Sequence, residues 1–214
     1  VRLTEPLAVD GRLDEAVYQQ VPSFGGFIQQ EPAGGQPATE TTEVWIFFDE
    51  RHVYVSARLY VSQPDRLLAN ELRRDSMNVF RNDNFGVTLD TMLDRRSGLY
   101  VMTNAIGAQR DVLVTDETRS VNFDYNAIWD VKSQRFDRGW TTELAIPFKS
   151  LRYPQRREQI WSVLLSRTDW WKNEFSFLPP VPRTDGMMGA FRVSAGAVLV
   201  GIEAPPPALN LEVK

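Results

Sequence analysis

The strongest constraint on this chain comes from two neighbouring segments, residues 85–90 and 99–104, in which two sets of side chains alternate along the backbone. In the first, Phe, Val and Leu alternate with Gly, Thr and Asp; in the second, Leu, Val and Thr alternate with Tyr, Met and Asn. A period of two is typical of a β-strand with one buried face. Because the polar residues 94–98 separate the two segments, the sequence predicts an antiparallel hairpin.

Polar side chains gather at one end of this predicted hairpin. Asn82 and Asp83 precede its first strand, and Asn104 ends its second strand. A turn at Gly107 then leads to three more polar residues, 109–111. Since the ends of neighbouring antiparallel strands lie side by side, these residues predict a polar binding edge on a β-framework rather than a catalytic centre.

The rest of the chain has the pattern of short strands joined by turns. Residues 13–20 have apolar side chains at helical spacing, and Pro22 ends that helix. About ten short strands with regular turns indicate an all-β fold, namely a two-sheet antiparallel β-sandwich with one short N-terminal helix. Besides the hairpin, the predicted strands include residues 43–48, 52–61, 109–115, 127–136, 140–146, 159–167, 190–193 and 197–202.

A series of motifs in a fixed order carries a family resemblance over residues 5–200. They are DGRLDEAVYQQ, GFIQQEP, TEVWIFFDERHVYVSARLY, ANELRRDS, NDNFGVTLDT, TNAIGAQRD, GWTTELAIPFKSLRY and KNEFSF. Together they resemble family 9 carbohydrate-binding modules, in particular the subgroup at the N-terminus of bacterial outer-membrane β-barrel proteins of unknown function. The resemblance implies a β-sandwich that looks like a sugar-binding module.

Two domain expectations follow from the end of the chain. Residues 1–203 are predicted to form the sandwich, and residues 204–214 to form a proline-rich linker and the start of a further segment. In the resembling proteins an outer-membrane β-barrel follows at this point. The resemblance therefore implies a barrel partner in the same chain and a place in the bacterial envelope, in the periplasm or at the cell surface.

Composition excludes several classes of function. The chain contains no cysteine, so it has no disulfide, thiol nucleophile or thiolate metal site. Its net charge of −4, with acidic and basic residues interspersed, argues against a nucleic-acid partner, which requires a basic face. No apolar run reaches the length of a membrane span, so we expect no membrane insertion by this domain itself.

Enzymatic motifs are lacking as well. His52 is the single histidine, and no serine stands in a Gly-x-Ser-x-Gly motif, so nucleophilic catalysis and zinc binding have little support. A glycoside hydrolase needs only two carboxylates, for which Asp83 and Asp111 are one possible pair. We therefore predict a non-enzyme and keep glycoside hydrolysis as the weaker alternative.

Calcium is the one cofactor that the sequence leaves open. Calcium takes oxygen ligands from flexible loops, and modules of the resembling kind often bind structural calcium. No twelve-residue calcium-loop pattern occurs, and solvated loop acids are the simpler interpretation. The candidate acidic residues are Asp10, Asp14, Asp116, Glu117 and Asp124.

The tryptophans give the strongest ligand signal. Trp170 and Trp171 follow a predicted strand, and if the strand continues through them, one indole packs inward and the other is exposed. An exposed indole offers an apolar plate to a sugar ring, and polar neighbours would fix its orientation. The resemblance implies two clamping tryptophans, one beside an Asn, which Trp171 and Asn173 approximately match. We expect Trp45, Trp129, Trp140 and Trp161 in the core.

The sequence thus favours non-catalytic recognition of a sugar or glycan end at the bacterial cell envelope. The main alternative is a sandwich without sugar binding that serves its barrel as a plug, scaffold or partner-binding module. Residues 172–182 would then present Phe175, Phe177 and Leu178 as an exposed apolar patch. The candidate ligand-binding residues are Trp170, Trp171, Asn173, Glu174, Arg167, Arg110, Gln109, Asn104, Asp111 and Asp83.

Overall fold

The computed structural model describes residues 1–205, and the rest of the predicted linker and following segment, residues 206–214, lies outside the described residues. Twelve strands form two antiparallel sheets in this part of the chain. The strands are β1 (Ile28–Glu31), β2 (Thr42–Phe48), β3 (His52–Tyr60), β4 (Asn84–Asp90), β5 (Gly98–Asn104), β6 (Arg110–Val114), β7 (Val121–Asn122), β8 (Asp130–Phe136), β9 (Gly139–Pro147), β10 (Glu158–Asp169), β11 (Glu174–Leu178) and β12 (Ala197–Glu203).

The two sheets form the predicted sandwich. The smaller sheet has the order β2-β3-β9-β8. The larger sheet has the order β1-β11-β10-β4-β5-β6-β7, and β12 also pairs with β10. Because every pairing is antiparallel and one short helix precedes the strands, the predicted fold class is confirmed.

The predicted hairpin is the pair β4 and β5, with Asn84 opposite Asn104 and Leu89 opposite Leu99. One face of β4 enters the core between the sheets, where Phe85 is fully buried. The other face carries Gly86, because a Cβ there would lie 2.5 Å from the Tyr100 hydroxyl. A side chain at this position would therefore displace the tyrosine that crosses it.

The four tryptophans predicted to lie in the core are buried, which confirms that prediction. Trp129, Trp140 and Trp161 belong to the apolar cluster between the sheets. Trp45 instead lies on the outer face of the smaller sheet, where its ring meets Tyr18 edge to face at a centroid distance of 5.4 Å. Tyr18 lies on the helix α1 (Ala16–Gln20), which is shorter than the predicted helix and covers this face.

Short 3-10 segments cover the outer face of the larger sheet. They are Met77–Arg81, Arg183–Phe191 and Val193–Ala195, and they pack on a second apolar cluster that includes Tyr100, Leu164 and Phe177. None of the helices in the described part of the chain combines the length and the apolar character needed to cross a membrane.

Two sequence predictions in this region are wrong. Residues 190–193 are not a strand, because Phe191 packs on the outer face of the sheet from a 3-10 segment. Residues 175–178 do not form an exposed patch, because strand β11 lies between β1 and β10 and buries Phe177. Phe175 and Leu178 are partly buried against the two apolar clusters.

Candidate functional site

The predicted site residues all lie at one end of the larger sheet. Strands β4, β6 and β11 begin at this end, and β5 and β10 end there. The topology therefore places the polar residues on neighbouring strand ends. Side-chain contacts divide them into two groups, one around the tryptophans and one along β5 and β6.

The two tryptophans lie on a 3-10 turn, Trp170–Lys172, and not on an extended strand. The strand does not continue through them, so the alternation of their side chains that would follow from an extended conformation does not occur. Asn173 ends the turn in the left-handed region at φ 50° and is exposed. Both indoles are half-buried, and neither belongs to an apolar cluster of the described residues. We call Trp170, Trp171, Lys172 and Asn173 the indole turn.

Two cations lie against the ring of Trp171. The Arg66 guanidinium carbon is 5.1 Å from the ring centroid, and the Lys172 ammonium is 5.2 Å from it. Both distances fall in the range of cation–π attraction. The buried Trp171 Nε1–H has no acceptor among residues 1–205. The indole is thus held by charge at its faces while its single donor is unused.

Glu40 and Glu174 fix the position of the indole turn through hydrogen bonds with Lys172 and Thr39. Lys172 donates to Glu40 and, at 2.8 Å, to the Thr39 hydroxyl. Burial opposes ionisation of Glu40, but the hydrogen bonds from Lys172 and Ser62 outweigh it and keep the pKa of Glu40 below its usual value. Glu174 accepts hydrogen bonds from the Thr39 amide at 2.9 Å and from its hydroxyl at 2.7 Å.

Asp83 is a buried anchor for the same turn. Its carboxylate accepts from the Trp170 amide at 2.7 Å and from the Leu68 amide. Burial raises the pKa of Asp83 to about 6, although the two amide hydrogen bonds oppose the rise. Arg167, predicted as part of a polar rim, is also buried and forms an ion pair with Asp169 at 3.0 Å.

The second group ties residues 62–83, a loop that crosses the strand ends, to β5 and β6. The buried amide of Asn104 donates to the Glu71 carbonyl at 2.7 Å. Asp111, which is fully buried, accepts from Arg74 at 2.8 Å and from the Trp129 indole N–H at 3.1 Å. These side chains direct their polar atoms to the protein itself.

Gln109 and Arg110 extend this set of contacts. Gln109 donates to the Trp129 carbonyl at 2.7 Å and accepts from Arg74 at 3.0 Å. Arg110 lies on the outer face of the sheet, since it is paired with Met102 of the outer cluster. Its guanidinium carbon is 5.9 Å from the ring centroid of Phe80 and 5.5 Å from that of Phe123.

Five residues of these two groups had no signal in the sequence. Arg74 lies within the motif ANELRRDS, which does not indicate its contact with Asp111, and the other four come from segments without periodicity or a motif. Their neighbours are distant in the chain, so only the tertiary structure reveals their positions. They are Arg66, Arg74, Met77, Phe80 and Phe123.

The arrangement offers little catalytic or metal chemistry. Asp83 and Asp111, the pair considered for glycoside hydrolysis, are both buried, and their carboxylates accept hydrogen bonds from other protein groups. Within residues 1–205, no group of three or more His, Asp or Glu side chains is placed to hold a metal ion. Two of the calcium candidates have other partners: Asp116 forms an ion pair with Arg96 at 3.0 Å, and Glu117 accepts from the Ser194 amide.

A cleft of about 920 Å³ lies at the opposite end of the sandwich. Tyr125, Phe148 and Tyr153 contribute to its walls, and Lys149 and Arg152 add positive charge. No predicted site residue lines this cleft, so it is a second concave surface well separated from the indole turn.

Neither a protein-family model nor a curated protein sequence matches this chain. Solved structures do resemble it. Two are family 9 carbohydrate-binding modules from Caldicellulosiruptor kristjanssonii. The complex with cellotriose has 15% identity and a TM-score of 0.62 and covers 100% of this chain and 96% of its own. The complex with glucose has 14% identity and a TM-score of 0.62, with coverages of 99% and 98%.

A third similar structure is a proposed carbohydrate-binding protein from Bacteroides uniformis ATCC 8492. It has 10% identity and a TM-score of 0.61, and the match covers 85% of this chain and 87% of that one. At these identities the similarity establishes a shared fold over nearly the whole described chain.

Proposed function

We propose that this chain is a non-catalytic carbohydrate-binding module whose ligand stacks on the indole turn. The observation that carries the proposal is Trp171, a half-buried indole that lies beside the exposed Asn173 and has an N–H without an acceptor among residues 1–205. Its setting is a fold shared with two modules that were solved with cellotriose and glucose. Such a ring supplies the apolar plate that the C–H face of a sugar requires.

Access to the ring depends on Arg66. This arginine is exposed, and within the described residues it has neither an ion-pair partner nor a side-chain hydrogen bond. Its contact with the indole is therefore weak and can be replaced by a ligand. The exposed Asn173 amide and the ammonium of Lys172 lie on the same turn and can orient hydroxyl groups.

Absence of catalysis is part of the proposal. Glycoside hydrolysis needs two carboxylates that flank the bond to be cleaved. Near the indole turn, Asp83 accepts from two amides, Glu174 accepts from Thr39, and Glu40 accepts from Lys172. These three carboxylates accept hydrogen bonds within the protein, which supports sugar binding without hydrolysis.

We place this activity at the bacterial cell envelope, ahead of an outer-membrane barrel in the same chain. This part of the proposal rests on the resemblance of the sequence motifs. Fractionation of cells that produce the full-length protein tests it: recovery with the outer membrane supports the placement, and recovery in the cytosol contradicts it.

A barrel-serving scaffold is the second candidate, and strand β12 favours it. This strand pairs with β10 on one edge, and no strand of the described residues pairs with the other. It exposes Val198 (55%) and Val200 (66%) on the outer face. An exposed apolar edge strand is a template for pairing with another chain. Val198→Lys should abolish such pairing and leave sugar binding intact.

Isothermal titration with cellotriose and glucose tests the sugar site. Trp171→Ala should lower the affinity about tenfold or more, because stacking contributes roughly 0.5–1.5 kcal/mol beyond the apolar contact and 1.4 kcal/mol is a factor of ten. Trp171→Phe retains a plate and should recover most of the affinity. Ile128→Ala, at a side chain that is 67% exposed elsewhere, is the matched control.

Two results would overturn the proposal. If the wild-type protein binds neither these sugars nor any member of a glycan array, the scaffold function takes first place. If sugars are cleaved and Asp83→Asn stops the cleavage, the module is an enzyme.

A further inference from the structure

Arg110 is a buried charge without a counter-ion. Its side chain is 3% exposed, and no carboxylate of residues 1–205 lies within ion-pair distance of it. The guanidinium donates to the Asp75 carbonyl, to the Phe123 carbonyl at 3.0 Å and to the Met77 sulfur at 3.3 Å. The buried Nε–H has no acceptor in the described part of the chain.

This arrangement is costly for a folded protein. A buried charge is normally paired, because removal from water costs several kcal/mol. An arginine cannot escape this cost by losing its proton, since guanidinium stays protonated in proteins. Carbonyl oxygens and a thioether sulfur carry partial charges only, so the site retains a whole positive charge and one unused donor.

Two aromatic rings and a methionine surround the Arg110 guanidinium. Phe80 and Phe123 are both half-buried and flank the guanidinium, and their rings meet edge to face at 6.3 Å. Met77 closes the site, and its side chain is 57% exposed. Thioether sulfur is a weak acceptor on a flexible chain, so an anion can displace it at little cost.

We propose that Arg110 receives the carboxylate of a bound ligand, and that the ligand is a sugar acid such as a uronate. The carboxylate would replace the Met77 sulfur at the guanidinium, where charge-assisted hydrogen bonds are about twice as strong as neutral ones. The ring would lie along Phe80 and Phe123. The choice of a sugar rests on the proposed function, whereas the carboxylate does not.

The site is separate from the indole turn. Arg110 lies on β6, and the turn follows β10, so three strand spacings of the order β10-β4-β5-β6 separate them. At about 4.8 Å for each spacing, the separation is about 14 Å. Binding at one site can therefore be measured without binding at the other.

Nuclear magnetic resonance of the arginine Nε–H groups tests the proposal directly. We expect D-glucuronate to shift the Arg110 Nε–H signal, and D-glucose, its neutral counterpart, to leave that signal unchanged. Titration should give at least a tenfold lower Kd for glucuronate than for glucose. Benzoate is the third probe, since it has a carboxylate without a sugar ring.

Substitution of the covering methionine provides a test that does not depend on removing Arg110. Met77→Glu supplies a carboxylate from the protein itself, so it should raise the melting temperature and abolish the glucuronate response. Met77→Ala removes the cover and should increase glucuronate affinity. Met92→Glu, at an equally exposed methionine beyond the other end of β4, should do neither.

Each outcome separates the two proposals. If cellotriose binds and glucuronate leaves Arg110 unshifted, this inference is overturned and the proposed function stands. A response to glucuronate without cellotriose binding supports this inference and removes the indole site. A response to benzoate alone overturns the assignment to a sugar.

Discussion

The outer face of each sheet contains a buried charged residue without an ion-pair partner among residues 1–205, Glu143 on the smaller sheet and Arg110 on the larger, and the two differ in how their polar atoms are satisfied. On the smaller sheet, Glu143 accepts hydrogen bonds from the Tyr18 hydroxyl at 2.7 Å and from the amides of Asp10 and Gly11 at 3.0 and 2.9 Å. On the larger sheet, Arg110 donates to two carbonyls and a sulfur, and its Nε–H is unused.

The comparison shows how the sign of a charge limits the ways to bury it. Burial raises the pKa of Glu143 to about 7, although its three hydrogen bonds oppose the rise, so this acid can become neutral near physiological pH. Arg110 has no such route. Glu143 thus lies beneath the N-terminal helix with hydrogen bonds to its carboxylate, whereas Arg110 keeps its charge beneath Met77, where we propose that a ligand carboxylate neutralises it.

The largest expected effect is the difference in stability cost between replacing Arg110 and replacing Arg167, a buried arginine that has an ion-pair partner. Arg167 forms an ion pair with Asp169 and donates to the Thr41 and Tyr60 carbonyls. Arg167→Met should lower the free energy of unfolding by about 3–5 kcal/mol, since it leaves a buried carboxylate unpaired. Arg110→Met should change it by less than about 1 kcal/mol, because the lost hydrogen bonds and the lost charge offset each other. Equal costs in urea unfolding would contradict the comparison.

Removal of the acid should be the next largest effect. Glu143→Ala removes the acceptor of the Gly11 and Asp10 amides and one partner of the buried Tyr18 hydroxyl, so we expect a loss of about 3 kcal/mol in the free energy of unfolding. The control is Glu50→Ala, whose exposed side chain lies 3.8 Å from Arg2, and about 0.5 kcal/mol or less is expected there. If Glu143→Ala lowers the free energy of unfolding no more than Glu50→Ala does, the hydrogen bonds of Glu143 do not stabilise this face of the sheet.

The pH dependence of stability should give the most specific effect. The pKa of Glu143 is about 7 in the folded chain and about 4.3 in an unfolded chain. Between these values the folded state holds the proton more tightly, so the wild type should lose stability relative to Glu143→Gln as the pH rises from about 4 to about 7. The change is about 1.4 kcal/mol for each pKa unit that separates the two states.

Urea unfolding of both proteins at a series of pH values measures this difference. Above pH 8 and below pH 4 it should be constant. If the difference in stability between the two proteins is the same at every pH, the pKa of Glu143 is the same in the folded and the unfolded chain. Glu143 would then be charged in the folded protein at neutral pH.

Local pattern predicted the strands well and the covering segments poorly. Alternation placed β4, β5 and β9 nearly to the residue, because one buried face dictates a period of two. Residues 190–193 were misassigned as strand because short apolar segments look alike in strands and 3-10 turns. Their conformation depends on which surface they cover.

The location of the candidate site could be predicted from the sequence, but the contacts of its side chains could not. The polar residues at strand ends do share one end of the larger sheet, since antiparallel pairing brings these ends together. Which of them face the protein depends on residues 62–83, whose Arg74 contacts Asp111 and whose Leu68 amide contacts Asp83. The loop has no periodicity, so its path could not be derived from local pattern.

The sequence alone determined the β-sandwich, the hairpin at its centre and the burial of four tryptophans, because these follow from the spacing of apolar residues along single strands. Only the tertiary structure decided that Asp83, Asn104 and Asp111 bind protein groups, that Trp171 is a half-buried indole on a 3-10 turn, and that Arg110 is buried with no counter-ion among residues 1–205. The reason is physical: solvation and pairing of a polar side chain depend on neighbours that are distant in sequence and come together only when the chain folds.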